Sequence, residues 1–257
     1  AESFTFELVD VSREPGVALN WPPEADATRA FDHGFDAVHN MPNTVTDAGQ
    51  RLETVEGGTE ATAVVSSYDW GAAGYLRVTA RMPGGWTLTG YLEGDEETTL
   101  IPVPMRAKSS RIADAWLGAH GMRGRADSYD GEDRPVGDRH TGDGLTLYEE
   151  YRGFYENGRH LNGDVERKDL FLFDEVGGPT KKGIALFAAA TELAVHHEFT
   201  QLEHRDRQIN FNVGDGAHVV AQHGLRIILL PEARGWAEAA AIDPDDGPDT
   251  PGKIRAV

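Results

Sequence analysis

Residues 109–154 read SSRIADAWLGAHGMRG, then RADSYDGEDRPVGDRHTGDG, then LTLYEEYRGF. In the first third, Ser110 stands where a helix cap belongs, and Gly121 supplies a stop. Ile112, Ala115, Trp116 and Ala119 recur on one helical face between them. In the last third, Leu147, Tyr148, Tyr151, Phe154 and Tyr155 keep helical spacing. Between the two segments lies a coil crowded with carboxylates. Like charges on so short a stretch repel each other unless a cation neutralises them.

A twelve-residue calcium loop between two helices takes oxygen ligands at positions 1, 3 and 5, glycine at 6, a backbone carbonyl at 7 and a bidentate Glu at 12. With Gly144 at position 6, Asp143 falls at 5, the Leu145 carbonyl at 7 and Glu150 at 12. Thr141 at position 3 is a weaker ligand. Arg139 at position 1 cannot bind a cation, so Asp138, or Asp127, Asp130 or Asp133 upstream, has to swing in. The expected cofactor is Ca2+ in an EF-hand-like helix–loop–helix.

The string ADAW-LGAHG followed by GDGLTLYEEYRGF resembles the calcium-binding repeats of secreted bacterial proteins. Those repeats carry a DAWE…HGL helix before a DSDGDGLSNLEEY loop, related to thrombospondin type 3 and dockerin loops. The resemblance covers about residues 109–155. It implies Asp143, Leu145 and Glu150 as calcium ligands in a secreted or cell-surface protein.

The chain has 257 residues, which favours more than one domain. Lys plus Arg is 24 and Asp plus Glu is 43, a net charge of −19. So acidic a chain suits cation binding or a salty milieu and is a poor partner for nucleic acid. It would also be repelled by anionic membrane surfaces. With no cysteine, disulfides, thiolate metal sites and cysteine nucleophiles are excluded. No apolar run reaches the roughly 18 residues of a membrane helix, so no membrane insertion is expected. The start at Ala1 fits a mature chain after signal cleavage or an excised piece of a longer protein. The expected partner at a cell surface is a protein or polysaccharide.

Residues 1–108 read as β-structure resembling an immunoglobulin-like or fibronectin-like sandwich. Phe4, Phe6 and Leu8 alternate with polar residues, TEATAVVSSYDW (59–70) reads as one strand, and Met82–Gly85 forms the turn of a hairpin whose second strand carries Trp86, Leu88 and Leu92. ETTLIPVPMR, with Pro102 and Pro104, suits an edge strand. Residues 109–158 hold the helix–loop–helix. Residues 159–241 read as a small α/β domain: strand Leu170–Phe173, a helix capped by Thr180, strand LAVHHEF, strand RQINFNV and a buried strand LRIILL. Residues 242–257 read as a linker or tail, with KIRAV able to begin another strand. The fold class is therefore α+β.

The remaining constellation is histidine-rich. His196, His197 and His204 could ligate Zn2+, with Glu198 or Glu203 as general base, in a metallohydrolase or peptidase. Both standard spacings fail by one residue, at Gln201 and at Thr200. KDLFLFD followed by a GIALFAAA helix and a strand resembles the opening of zincin-type metallopeptidase domains, which implies a catalytic helix beyond Val257. No residue is assigned a catalytic role. The leading expectation is a non-catalytic module in which calcium is structural.

Overall fold

The computed structural model describes residues 1–24, 30–136 and 140–228. The described chain is mostly sheet with three short α-helices, and no helix is long and apolar enough to cross a membrane. The strands of the first half are β1 (Ser3–Val9), β2 (His33–Phe35), β3 (Thr44–Thr46), β4 (Arg51–Glu53), β5 (Val65–Ser67), β6 (Gly74–Arg81), β7 (Thr87–Thr89) and β8 (Ile101–Val103). Then follow α1 (Asp114–Ala119), α2 (Leu147–Arg152), β9 (Phe154–Glu156), β10 (Arg159–Leu161), β11 (Asp169–Asp174), α3 (Lys181–Thr191), β12 (Ala194–His196) and β13 (Leu225–Ile227).

The alternation in β1 puts Phe6 and Leu8 in a core and Thr5 and Glu7 on the other face. β1 runs antiparallel between β4 and β6, with Phe6 opposite both Leu52 and Val78. β3 extends the sheet beyond β4, and β7 and β8 pair successive parts of the far edge of β6. The core of this half joins Phe6, Leu8 and Leu52 to Phe35 of β2. Of the stretch 59–70 only Val65–Ser67 is strand, because its partner β2 is equally short. Ala61 and Ala63 pack on the core without joining a strand. Trp86 and Leu88, which follow the Met82–Gly85 turn, are about half exposed, and β7 lies at the sheet edge.

In the second half, β11 is the centre of a three-stranded parallel sheet between β12 and β13, and α3 makes the crossover from β11 to β12. Three expectations change here. RQINFNV is not a strand; Ile209, Asn210 and Asn212 are buried there with irregular backbone. β13 is an edge strand with an exposed Arg226 rather than a fully buried one, and Leu229, Leu230 and residues 242–257 lie outside the described residues. Phe154 and Tyr155 belong to β9, not to a helix. Gly153 ends α2 at φ +70°, and a Cβ there would sit 2.1 Å from the Leu161 carbonyl oxygen.

Ser110 does not cap α1, which begins after Ala113. Its hydroxyl donates instead to Asp127 (2.5 Å). Ile112 and Leu117 pack with Leu147, Tyr148 and Val165, so α1 rests on α2. A third core gathers Leu19, Leu145, Phe154, Phe171, Phe173 and Ile209. The segment around Leu19 thus serves the parallel sheet although it precedes most of the antiparallel one.

Candidate metal centre

Helix α2 owes its start to sequence. Thr146 and Glu149 form a reciprocal capping box: the Thr146 hydroxyl accepts from the Glu149 amide (3.2 Å), and the Glu149 carboxylate accepts from the Thr146 amide (2.9 Å). The Thr146 hydroxyl also donates to the Ala217 carbonyl (2.8 Å). Thr146→Ala is expected to cost about 1–2 kcal/mol, read as a lower midpoint in urea with an unchanged slope.

The box leaves two adjacent glutamates buried with opposite fates. Glu149 is saturated: besides the cap, it accepts from Asn210 Nδ2 (2.8 Å) and contacts His218 Nδ1 (2.7 Å). Glu150 is fully buried, and neither of its carboxylate oxygens has a hydrogen-bond partner. A buried carboxylate with two orphaned oxygens is costly, so it calls for a cation or a proton.

Three more carboxylates lie beside it. One oxygen from each of Asp130, Glu132 and Asp143 falls within 4.8 Å of the others. Asp130 is aimed there by the backbone, its two oxygens accepting from the amides of Asp143 (3.0 Å) and Gly144 (3.1 Å). Gly142, at φ +76°, makes this possible, since a Cβ would fall 1.9 Å from Asp130 Oδ1. Asp143 accepts from the amides of Leu145 (2.8 Å) and Asp169 (2.5 Å). Glu132 Oε2 is buried and unpartnered.

The electrostatics agree. Burial, reinforced by neighbouring carboxylates, pushes Glu150 up to about 10, Glu132 to about 8 and Asp143 to about 7. For Glu150 the repelling charges are Glu132, Asp143, Asp169 and Asp130. The three carboxylates of the cluster are hard oxygen donors of the kind calcium takes, and Glu150 borders them.

The candidates read from sequence fall in different places. Asp130 and Asp143 join the cluster and Glu150 borders it, while Leu145 is buried in the adjoining core. Thr141 and Asp133 are exposed. Asp127 is committed elsewhere, accepting from Ser110 Oγ and the Arg111 amide (2.7 Å). Asp138 lies outside the described residues. Glu132 is the member of the cluster that the sequence reading lacks. The Asp130-Gly131-Glu132 spacing matches positions 1 and 3 of the loop template, but residues 133–142 stand where the template has a single residue. A hydrogen bond from the Gly142 amide to the Glu132 carbonyl (3.0 Å) closes that excursion.

His196, His197 and His204 do not come together as a group that could hold a metal ion; among the described residues only the acidic triad could. The His196 ring is held between Asp169 (2.9 Å) and Glu156 (3.3 Å). Burial opposes its charge, but the two carboxylates outweigh burial and push it up to about 9. Both ring nitrogens are thus engaged by carboxylates. The His204 ring lies against Phe173 instead, tilted by 42° with 4.1 Å between ring centroids.

No family model, no curated protein and no solved structure matches this chain.

Proposed function

We propose that the chain is a calcium-binding module, non-catalytic by itself, whose cation is structural. Asp130, Glu132, Asp143 and Glu150 are the side-chain ligands, and the Leu145 carbonyl completes an EF-hand-like loop with residues 133–142 inserted. The observation that carries this reading is Glu150: fully buried, with both oxygens unpartnered, among carboxylates that repel it. Burial also argues for a structural role, because a fully covered carboxylate offers no place for a substrate. The larger antiparallel sheet and the β2–β5 pair we read as an immunoglobulin-like sandwich. A module of this kind suits a secreted or cell-surface protein, where calcium is abundant, with a protein or polysaccharide as partner.

Calcium is favoured over magnesium because magnesium demands near-ideal octahedral geometry and keeps its waters, whereas a crowded carboxylate set suits a larger, more flexible ion. The test is thermal melting after exhaustive chelation, then with calcium or magnesium restored. Calcium should raise the midpoint by roughly 10 °C or more when saturating, magnesium by much less. A melting curve indifferent to chelation and to calcium would end this reading.

A further inference from the structure

Between β12 and β13, residues 197–224 form no strand or helix, only the isolated bridges Arg205–Gln208 and Gln208–His223. So long an irregular stretch inside a folded unit is uncommon and is ordered by what it touches. Residues 209–224 touch the acidic loop again and again. Gln222 Nε2 donates to the Asp143 carbonyl (2.8 Å), and the Ala217 carbonyl accepts from Thr146. Asn210 is fully buried: its Nδ2 donates to Glu149 and to the Val220 carbonyl (2.9 Å), and its Oδ1 accepts from the Gln222 amide (2.6 Å). Val220 lies directly on Gly144, where a Cβ would come within 2.9 Å of it. Residues 143–149, which carry two of the proposed ligands and flank Glu150, therefore supply one of the strap's two anchors. The other is Glu14, accepting from the Asp215 and Gly216 amides, with Leu19 and Arg152 bonded to the Asn212 backbone.

We infer that cation binding and docking of residues 209–224 are one coupled equilibrium, with Gln222 and Asn210 as positioning residues for the cation site. The inference rests on the calcium reading above. When the cation leaves, Asp130, Glu132, Asp143 and Glu150 lose the ion that ties them together, and the loop they belong to is the one the strap grips. When the strap leaves, the Asp143 carbonyl loses Gln222 and Glu149 loses Asn210, so the ligands are no longer held in place. Coupling of this kind is reciprocal: the factor by which calcium strengthens docking equals the factor by which docking strengthens calcium binding. β1, β4 and β6 have their own core and stand apart from the exchange.

The experiment is amide hydrogen exchange on the full chain with calcium and with excess chelator, beside calcium titration calorimetry of the wild type and of Gln222→Ala. On chelation, amides in 143–150 and 209–224 should lose protection together by at least about tenfold, while those of β1 and β6 hold. Gln222→Ala should weaken calcium binding by about tenfold, the scale of losing an outer-shell partner, although Gln222 is not a ligand. If calcium binds but protection changes stop at residue 150, or Gln222→Ala binds as the wild type does, the coupling is refuted and the calcium site stands. Equal loss of protection in β1 and β6 also refutes it, since calcium would then hold the whole fold indifferently. If the wild type binds no calcium, the site reading falls first.

Discussion

Glu150→Gln should abolish calcium binding, with affinity falling by more than about 100-fold, since even outer-shell changes cost 10- to 100-fold. The same substitution should stabilise the chelated protein at neutral and alkaline pH. The reason is the sign of the pKa shifts. Glu132, Asp143 and Glu150 titrate in the folded chain at about 8, 7 and 10, above their ordinary values of 4.5, 3.8 and 4.5. A raised carboxylate binds its proton more tightly folded than unfolded. Stability of the cation-free protein is therefore greatest below the ordinary carboxylate range and falls as pH rises through the folded values. Glutamine cannot ionise, so it removes the largest of these losses. Calcium reverses the trend for the wild type: protons compete with the ion, and affinity climbs with pH. The measurements are calorimetric titration and melting in chelator from pH 5 to pH 9. A variant that still binds calcium, or that melts below the chelated wild type at pH 8, would contradict the assignment of Glu150.

The second large effect belongs to Arg152, at the other end of the same short helix. Its side chain is 1% exposed and makes a buried ion pair with Asp69 (2.6 Å), also 1% exposed. Nε bridges both Asp69 oxygens (3.1 Å each), Nη1 donates to the Asn212 carbonyl (2.5 Å) and Nη2 to the Pro15 carbonyl (2.6 Å). One guanidinium thus ties three chain segments that are remote in sequence. Arg152→Ala leaves a buried carboxylate and two carbonyls without their donor, at an expected cost of about 3–5 kcal/mol. Arg152→Lys should recover little, because a point ammonium cannot reproduce the planar fork. Replacing Asp69 and Arg152 together by apolar residues should cost less than Arg152→Ala alone, because no unpaired charge remains. Urea unfolding of the single and double variants measures this; an Arg152→Ala loss under about 1 kcal/mol would show the network to be dispensable.

Much of the local architecture is legible in the residues themselves. The alternation of Phe4, Phe6 and Leu8 reads as β1, and the order strand, helix, strand from Asp169 to His196 is visible as periodicity. The helical spacing that begins at Leu147 reads as α2. Where reading failed, a local rule met a distant partner or its absence. Helical spacing carried through Phe154 and Tyr155, but Gly153 turns the chain into β9. The apolar pattern of RQINFNV suggested a strand, but Asn210 and Asn212 spend their side chains on Glu149, Val220, Ala18 and Pro22 instead of lying in a ladder.

For the candidate site the division follows chain distance. Asp143, Gly144 and Glu150 sit within one loop-and-helix unit, so their spacing alone places them, as does the charge that makes a cation attractive. Which upstream acid completes the set could not be read, because residues 133–142 break the template's count and a count carries no information about where an excursion returns. Packing decides it, through the amides of Asp143 and Gly144 that aim Asp130 and through the closure that brings Glu132 back beside Asp143. Packing likewise keeps hydrogen-bond donors away from Glu150 and buries it, and that burial turns an acidic residue in a motif into one that calls for a cation or a proton.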